Sequence, residues 1–162
     1  MTEERKKELS ENYARVLEMI EAAKKTRGGD KPVTLLAATK TVPADDICYL
    51  IENCGLKLCG ENHAQEFTDK YDAVRAAGAE MDFIGHLQTN KVKYIVGKAR
   101  LIHSLDSIKL AEEINSRAEK LGVEQKVLVE VNIGEEENKT GVNPGEVGEF
   151  LKELETYPAI KV

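Results

Sequence analysis

Long apolar runs are missing from this 162-residue sequence. No segment approaches the ~18–20 consecutive apolar residues that a membrane-spanning helix needs, so we expect no membrane partner. The N-terminal stretch MTEERKKELSENYARV contains no apolar segment of the kind found in secretory signals. With 41% hydrophobic and 32% charged residues, the chain also lacks the composition of a disordered protein. These features predict one folded domain over residues 1–162 with a substantial core.

Cysteines are few, and none of them stands in a CxxC motif. The three are Cys48, Cys54 and Cys59. An odd number without the spacing of a disulfide framework favours a reduced, cytoplasmic protein. Cys54, Cys59 and the nearby His63 could be read as metal ligands, but buried free thiols on a strand or helix face are far more common. We therefore predict no metal site.

Positive charge is also scarce. The sequence has 23 Lys and Arg against 29 Asp and Glu, a net charge of −6. Proteins that neutralise nucleic-acid phosphates need a basic face, so we expect no nucleic-acid partner. The densest basic run, NKVKYIVGKAR, is interpreted as a solvated helix surface. The sequence contains neither GxGxxG after a strand nor GxxxxGK[ST], which excludes the usual dinucleotide and P-loop motifs.

What the sequence does contain is a repeated alternation of short apolar runs and longer amphipathic ones. A first helix is predicted from Glu3 to about Lys25, before the first apolar run. The predicted strands are VTLLAATK (33–40), LKLCGEN (56–62), MDFIGHL (81–87), RLIHSLD (100–106), QKVLVEVNI (125–133) and the start of a sixth, AIKV (159–162). Strands that alternate with helices indicate βαβ units and a parallel sheet. Five full units without a break favour an α/β barrel of the eight-stranded TIM type over an open sheet.

In either parallel architecture the active site lies at the carboxyl ends of the strands. The residues at these predicted ends are Lys40, Gly60, Glu61, Asn62, Gly85, His86, Gln88, Ser104, Asp106 and Asn132. Lys40 is the one lysine in this otherwise mostly neutral polar ring. A neutral amine attacks carbonyl groups, and desolvation at a barrel mouth favours the neutral form, so Lys40 is a candidate for Schiff-base chemistry. The alternative is a surface lysine just past the end of a strand.

Five motifs occur in a specific order along the chain: LLAATKTVP, CGENHAQEF, DFIGHLQTNKVKYI, IHSLDS and VLVEVNIGEEENKTGV. Together they resemble the pyridoxal phosphate homeostasis protein family, the YggS/PROSC group. The resemblance runs from the first predicted helix to the last residue. It implies a fold like the barrel domain of alanine racemase, the fold-type III pyridoxal phosphate proteins, without the second domain of that enzyme.

The resemblance also implies a cofactor and residues that bind it. Members of the family bind pyridoxal 5′-phosphate (PLP) through a lysine at the end of the first barrel strand, which matches Lys40 here. The GEN motif places Asn62 beside the cofactor, although Asn62 could instead be a helix N-cap. The FIG motif supplies Ile84, which would pack against the cofactor ring. His86 stands where many relatives carry proline, so no catalytic role is assigned to it.

The family continues for about two more βα units than this sequence. The resemblance therefore implies an incomplete barrel, with about six of eight strands and an extra N-terminal helix. In the family the later units supply serine and glycine contacts to the phosphate and an arginine that faces the pyridine nitrogen. We therefore expect this chain to contain the lysine that binds the aldehyde of the cofactor but not the residues that bind its phosphate. The intact family is expected to be monomeric, whereas open barrel edges would favour association.

The predicted function is a cytoplasmic, non-catalytic PLP carrier that helps to balance the PLP supply, with PLP-dependent apoenzymes as candidate recipients. One alternative is an amino-acid racemase-like enzyme, which would need a second base on the opposite face of the cofactor. Another is a fragment that is unable to retain PLP. The loop around Lys139 has two readings, a gate at the barrel mouth or an ordinary solvated loop.

Overall fold

The computed structural model describes residues 1–28, 31–134, 136 and 140–162. Lys139, and with it the suggested gating role, lies outside the described residues. The helices are α1 (Glu3–Arg27), α2 (Ala44–Tyr49), α3 (Ala64–Ala77), α4 (Val92–Ile95), α5 (Ile108–Leu121) and α6 (Val147–Leu154). A π-helical turn, Leu50–Cys54, continues α2, and short 3₁₀ turns, Thr89–Lys91 and Pro144–Glu146, precede α4 and α6.

The strands form a parallel sheet in which neighbours along the chain are also neighbours in space. They are β1 (Ala37–Ala38), β2 (Leu58–Glu61), β3 (Glu80–Phe83), β4 (Ile102–Leu105), β5 (Gln125–Val129) and β6 (Ile160–Lys161). Within the described residues, their order is β1-β2-β3-β4-β5-β6, and every pair is parallel. A doubly wound sheet would reverse its strand order at a switch point. The unbroken order confirms the predicted α/β class and is that of a TIM-type barrel with six strands.

The first strand is much shorter than predicted. The apolar run at 33–40 yields only the two residues of β1, because β1 lies at an edge of the described sheet and pairs with β2 alone. An apolar run shows that a segment is suited to burial. Whether it forms a β-strand also depends on a neighbouring strand with which its backbone can form hydrogen bonds. The last apolar run does form the start of a sixth strand, as predicted.

The two faces of the sheet differ in chemistry. Alternate residues point to opposite faces of a strand, and one face carries Met81, Phe83, Ile102 and Val127, which are buried against the helices. The face turned away from the helices carries Ala38, Gly60 and Asp82, as the strand register shows. We call it the inner face, because a closed barrel would enclose it.

A charged cluster lies on the inner face. Arg100 holds the fully buried Asp82 with two hydrogen bonds, from Nε to Oδ1 at 2.8 Å and from Nη2 to Oδ2 at 2.6 Å. His103 Nε2 lies 2.9 Å from Asp82 Oδ2. The interpretation of Arg100 as part of a solvated helix surface was therefore wrong. The partner of both Arg100 and His103 is the carboxylate of Asp82, which lies 18 and 21 residues away, respectively.

A close backbone approach joins the ends of β2 and β3. A Cβ atom on Gly85 would lie 2.7 Å from Cα of Asn62 and would also meet its carbonyl oxygen. Real Cβ contacts essentially never reach this distance, and the obstacle is backbone rather than a flexible side chain. Position 85 therefore requires glycine in order for the two strand ends to meet.

The N-terminal helix forms as the sequence predicted, and in the structure it packs against α2, outside the sheet. Arg5 Nε of α1 donates to Asp46 Oδ2 at 2.9 Å, and Ser10 Oγ lies 3.0 Å from the Tyr49 hydroxyl. None of the helices in the described part of the chain combines the length and apolar content needed to cross a bilayer.

The Asp82 cluster predicts unequal effects for two acids on β3. Asp82→Ala should lower the free energy of unfolding by about 1–3 kcal/mol, because Arg100 and His103 lose their charged acceptor. Glu80 also faces Arg100, at 3.9 Å, but its side chain is more than half exposed, so Glu80→Ala should change the free energy by less than about 0.5 kcal/mol. Urea unfolding measures both, and equal effects would contradict the prediction.

The approach of Gly85 to Asn62 predicts unequal effects for two glycines. Gly85→Ala should lower the free energy of unfolding by about 1–3 kcal/mol, because the added methyl group must displace backbone. Gly148 lies in α6, and no atom lies within 4 Å of the place that a methyl group would take there, so Gly148→Ala should raise it by up to about 1 kcal/mol. Thermal and urea unfolding provide the measurement. Equal stability of the two variants would disprove the backbone clash.

Candidate functional site

The structure brings the ends of β1, β2 and β3 together at one rim of the sheet. Thr39 N donates to Gly60 O at 2.9 Å, and Ile84 N donates to Glu61 O at 2.9 Å. Lys40 directly follows Thr39, and Asn62 directly follows Glu61. Ile84 itself donates the second of these hydrogen bonds. The three residues predicted to bind the cofactor therefore come from three adjacent strand ends, as a parallel sheet requires.

An apolar surface lies beside these strand ends. Ala38 pairs with Gly60 in the sheet register, so both belong to the inner face. A Cβ atom on Gly60 would lie 2.6 Å from Cδ2 of Leu36 and 3.0 Å from Cδ1 of Ile84. The missing side chain at position 60 is thus what allows Leu36 and Ile84 to lie close over the sheet. This leaves an aliphatic platform next to the rim, with Ile84 half-buried.

Lys40 lies in a tight turn. Val42 N donates to Thr39 O at 3.0 Å, which closes the turn, and Thr41 has a φ of 63°. The Lys40 side chain is exposed. Within the described residues the amine is therefore exposed to solvent rather than desolvated as expected, and it is accessible to a molecule in solution.

A buried polar network lies under this turn. Lys70 Nζ donates to Thr39 O at 2.9 Å, to Glu61 Oε1 at 2.9 Å and to Glu66 Oε2 at 2.8 Å. Burial alone would lower the pKa of Lys70, but the hydrogen bonds to Glu66 and Glu61 outweigh it and leave the pKa raised. The hydrogen bond from Lys70 lowers the pKa of Glu66, and the one from Thr41 N adds to this. Lys70 therefore stays charged inside the protein.

The sequence interpretation missed the role of Glu61, Glu66 and Lys70. A signal was present in the helical spacing, because Phe67, Lys70 and Val74 recur on one face of α3 and all three are buried. A lysine on the buried face of an amphipathic helix needs a charged partner. Without the register of β1 and β2, however, the sequence does not reveal what that partner is.

Asn62 is half-buried at the rim and is not the N-cap of α3. That position belongs to His63, which makes no side-chain capping bond. Asn62 and the exposed His86 both line a pocket of about 230 Å³ beside the rim. His86 Nδ1 lies 3.3 Å from Oδ2 of Asp106, the residue before Ser107, which is the N-cap of α5.

The cysteines do not offer a reactive thiol at this rim. Burial raises the pKa of Cys59 to about 12, and the neighbouring carboxylate of Glu61 adds to the effect. Metal ligation needs the thiolate. Cys54 is occupied elsewhere, with its Sγ 3.5 Å from Ser10 Oγ of α1. Within the part of the chain that the structure describes, Cys54, Cys59 and His63 are not gathered into a group that could hold a metal ion.

Comparison with known proteins identifies the family to which this chain belongs. The family model described as "Alanine racemase, N-terminal domain" matches residues 7–162. The pyridoxal phosphate homeostasis protein of Aquifex aeolicus is 49% identical over 153 residues, which cover 94% of this chain and 67% of that protein. This chain thus spans about two thirds of the length of the relative.

Two solved structures have the same fold. A protein from Bifidobacterium adolescentis superposes with a TM-score of 0.88 at 33% identity, covering all of this chain and 70% of the other. PipY of Synechococcus elongatus, solved with PLP bound, gives a TM-score of 0.72 at 27% identity, covering 85% of this chain and 64% of the other. On the strength of these matches, the chain belongs to the pyridoxal phosphate homeostasis protein family and carries the N-terminal domain type of alanine racemase.

Proposed function

We propose that this chain binds pyridoxal 5′-phosphate through Lys40 and takes part in intracellular PLP homeostasis without robust catalysis. The Lys40 amine would condense with the aldehyde of the cofactor, with loss of one water molecule, to form an internal aldimine. The observation that carries the proposal is the position of Lys40. Lys40 is exposed and lies in a tight turn at the strand-end rim that also carries Asn62 and Ile84.

The residues present fit the aldehyde end of the cofactor. Lys40 follows β1 at the same rim as the aliphatic platform of Leu36 and Ile84, and this platform suits the face of an aromatic ring. Asn62 adds an amide side chain that could donate to or accept from a ring substituent. When bound, PLP would supply an electrophilic aldehyde and an electron-withdrawing ring. The relative from Aquifex aeolicus and the PLP-bound PipY support this choice of ligand.

The proposal for this chain concerns the aldehyde end rather than the phosphate. The family resemblance assigns the phosphate contacts and the arginine at the pyridine nitrogen to βα units that follow the sixth strand. This chain spans about two thirds of the relatives' length. Its described residues offer the lysine and the ring platform, and these two features are sufficient for reversible attachment of an aldehyde.

We propose a carrier rather than a racemase. Racemisation requires a second base on the opposite face of the cofactor, which the resemblance places in another domain and subunit of alanine racemase. The relative with 49% identity bears a name that refers to homeostasis. A carrier needs reversible attachment and release of the cofactor, and an exposed lysine amine at an open rim suits both steps.

Substitution of Lys40 tests the proposed anchor. Lys40→Ala should weaken PLP binding by at least about tenfold, or ~1.4 kcal/mol, because the covalent attachment is lost. The visible absorbance band of the aldimine should disappear. Borohydride reduction followed by peptide mass mapping should place the label on Lys40 in the unmodified protein. Lys120→Ala, which removes an exposed lysine from α5, is the matched control and should behave like the unmodified protein.

Two results would contradict the proposal. Equal labelling of the unmodified protein and of Lys40→Ala would show that Lys40 is not the anchor. If neither protein binds PLP, the proposal that PLP is the ligand is wrong. The non-catalytic part is tested separately by incubating the PLP-loaded protein with L-alanine and separating the enantiomers by chiral chromatography. Formation of D-alanine that depends on Lys40 would favour the racemase.

A further inference from the structure

The turn that carries Lys40 has a conformation that its sequence does not favour. Thr39 O accepts from Val42 N, so Lys40 and Thr41 are the two central residues of the turn. With a φ of 63°, Thr41 has the left-handed conformation that the third position of a type II turn requires, and glycine is the usual residue there. A β-branched residue is strained in this region. The turn therefore needs contacts from outside to hold it.

Such contacts lie on both sides of Lys40. Before it, the carbonyl oxygen of Thr39 accepts from Lys70 Nζ at 2.9 Å. After it, the amide of Thr41 donates to Glu66 Oε2 at 2.8 Å. Lys70 and Glu66 are themselves joined at 2.8 Å, one turn apart on α3. The Lys70–Glu66 ion pair thus forms hydrogen bonds with the backbone directly before and directly after Lys40.

The ion pair is also fixed to the sheet. Lys70 Nζ donates to Glu61 Oε1 at 2.9 Å, and Thr39 Oγ1 donates to the same oxygen at 2.7 Å. The Glu61 side chain is completely buried on β2, and Lys70 is buried on α3. Hydrogen bonds between charged groups are short and strong when they are shielded from water. The turn is therefore held against both its neighbouring strand and α3.

Stability alone does not account for a lysine at this position. An apolar side chain of similar length would also suit the buried face of α3 that carries Phe67 and Val74. Replacing a buried charged group in this way is often neutral or stabilising when its whole network is replaced. Unlike an apolar side chain, the ammonium group of a lysine donates three hydrogen bonds from one atom. One of these hydrogen bonds ends on the carbonyl oxygen directly before Lys40.

We propose that Lys70 is a positioning residue: together with Glu61 and Glu66 it clamps the turn Thr39–Val42 and so directs the Lys40 amine towards the ring platform at the rim. This role rests on the proposed function of Lys40. The clamp itself is a property of the protein without cofactor and is measured without it. Lys70 does not contact the cofactor in this proposal and acts through the backbone of residues 39 and 41.

The first measurement is amide hydrogen exchange at Thr41 and Val42 in the cofactor-free protein. Lys70→Met keeps the length of the side chain but removes its donors, and exchange at both amides should accelerate about five- to thirtyfold, the factor that a local loss of about 1–2 kcal/mol corresponds to. Lys120→Met, the matched change on the surface of α5, should leave both rates unchanged. Glu66→Ala removes the acceptor of Thr41 N from a partly exposed site, and it provides a second test if Lys70→Met folds poorly.

The second measurement is PLP affinity, read from the Lys40-dependent absorbance band. Lys70→Met should weaken binding by about the same five- to thirtyfold, and Lys70→Arg should retain part of the affinity because arginine can donate to the same oxygens. Thr41→Gly added to Lys70→Met should restore binding, because glycine adopts a φ near 60° without strain. A merely structural role for Lys70 would not be rescued at position 41.

The outcomes separate the two proposals. Unchanged exchange at Thr41 and Val42 in both Lys70→Met and Glu66→Ala would overturn the clamp. Faster exchange with unchanged PLP affinity would overturn the positioning role. If the unmodified protein does not bind PLP at all while Lys70→Met still accelerates exchange, the clamp stands and the proposed function fails together with the positioning role. Rescue by Thr41→Gly would support the complete proposal.

Discussion

The parallel pairing of consecutive strands is the constraint on which the rest of this structure depends. Each strand pairs with the next along the chain, so the carboxyl ends of β1, β2 and β3 lie side by side. Two hydrogen bonds, Thr39 N to Gly60 O and Ile84 N to Glu61 O, fix the relative heights of these ends. A shift of one residue in either pairing would turn Lys40 or Ile84 to the opposite face of the sheet. The candidate site therefore follows from the backbone ladder before any side chain is considered.

Charged groups occur on both faces of the sheet, and in each case they are held by a partner from another element. On the inner face, Arg100 and His103 hold the carboxylate of Asp82. On the helix side, Lys70 joins Glu61 of β2 to the turn that follows β1. Buried charge is tolerated only where its hydrogen bonds are satisfied. One exception is Glu61 Oε2, which is buried and makes no hydrogen bond within the described residues.

Prediction from sequence succeeded for elements defined by local periodicity and failed where long-range pairing decides. The spacing of apolar residues predicted a first helix from Glu3 to about Lys25, which is close to the observed α1 at Glu3–Arg27, because apolar residues on one helix face recur at helical spacing. The same reasoning overestimated the first strand, since β1 has a partner on one side only. It also placed Arg100 in solvent, because nothing near Arg100 in the sequence indicates Asp82, which lies one strand away.

The sequence by itself determined the class of fold and the order of the motifs that follow the strands. Alternating apolar and amphipathic segments permit few architectures, and the motifs around Lys40, Asn62 and Ile84 identified the family. Only the tertiary structure decided that the Lys40 turn contains a strained threonine and that Lys70, thirty residues further along the chain, donates to the carbonyl directly before Lys40. The physical reason is that local patterns record burial and backbone propensity. The partner of a buried charge is set by strand register, which no local pattern contains.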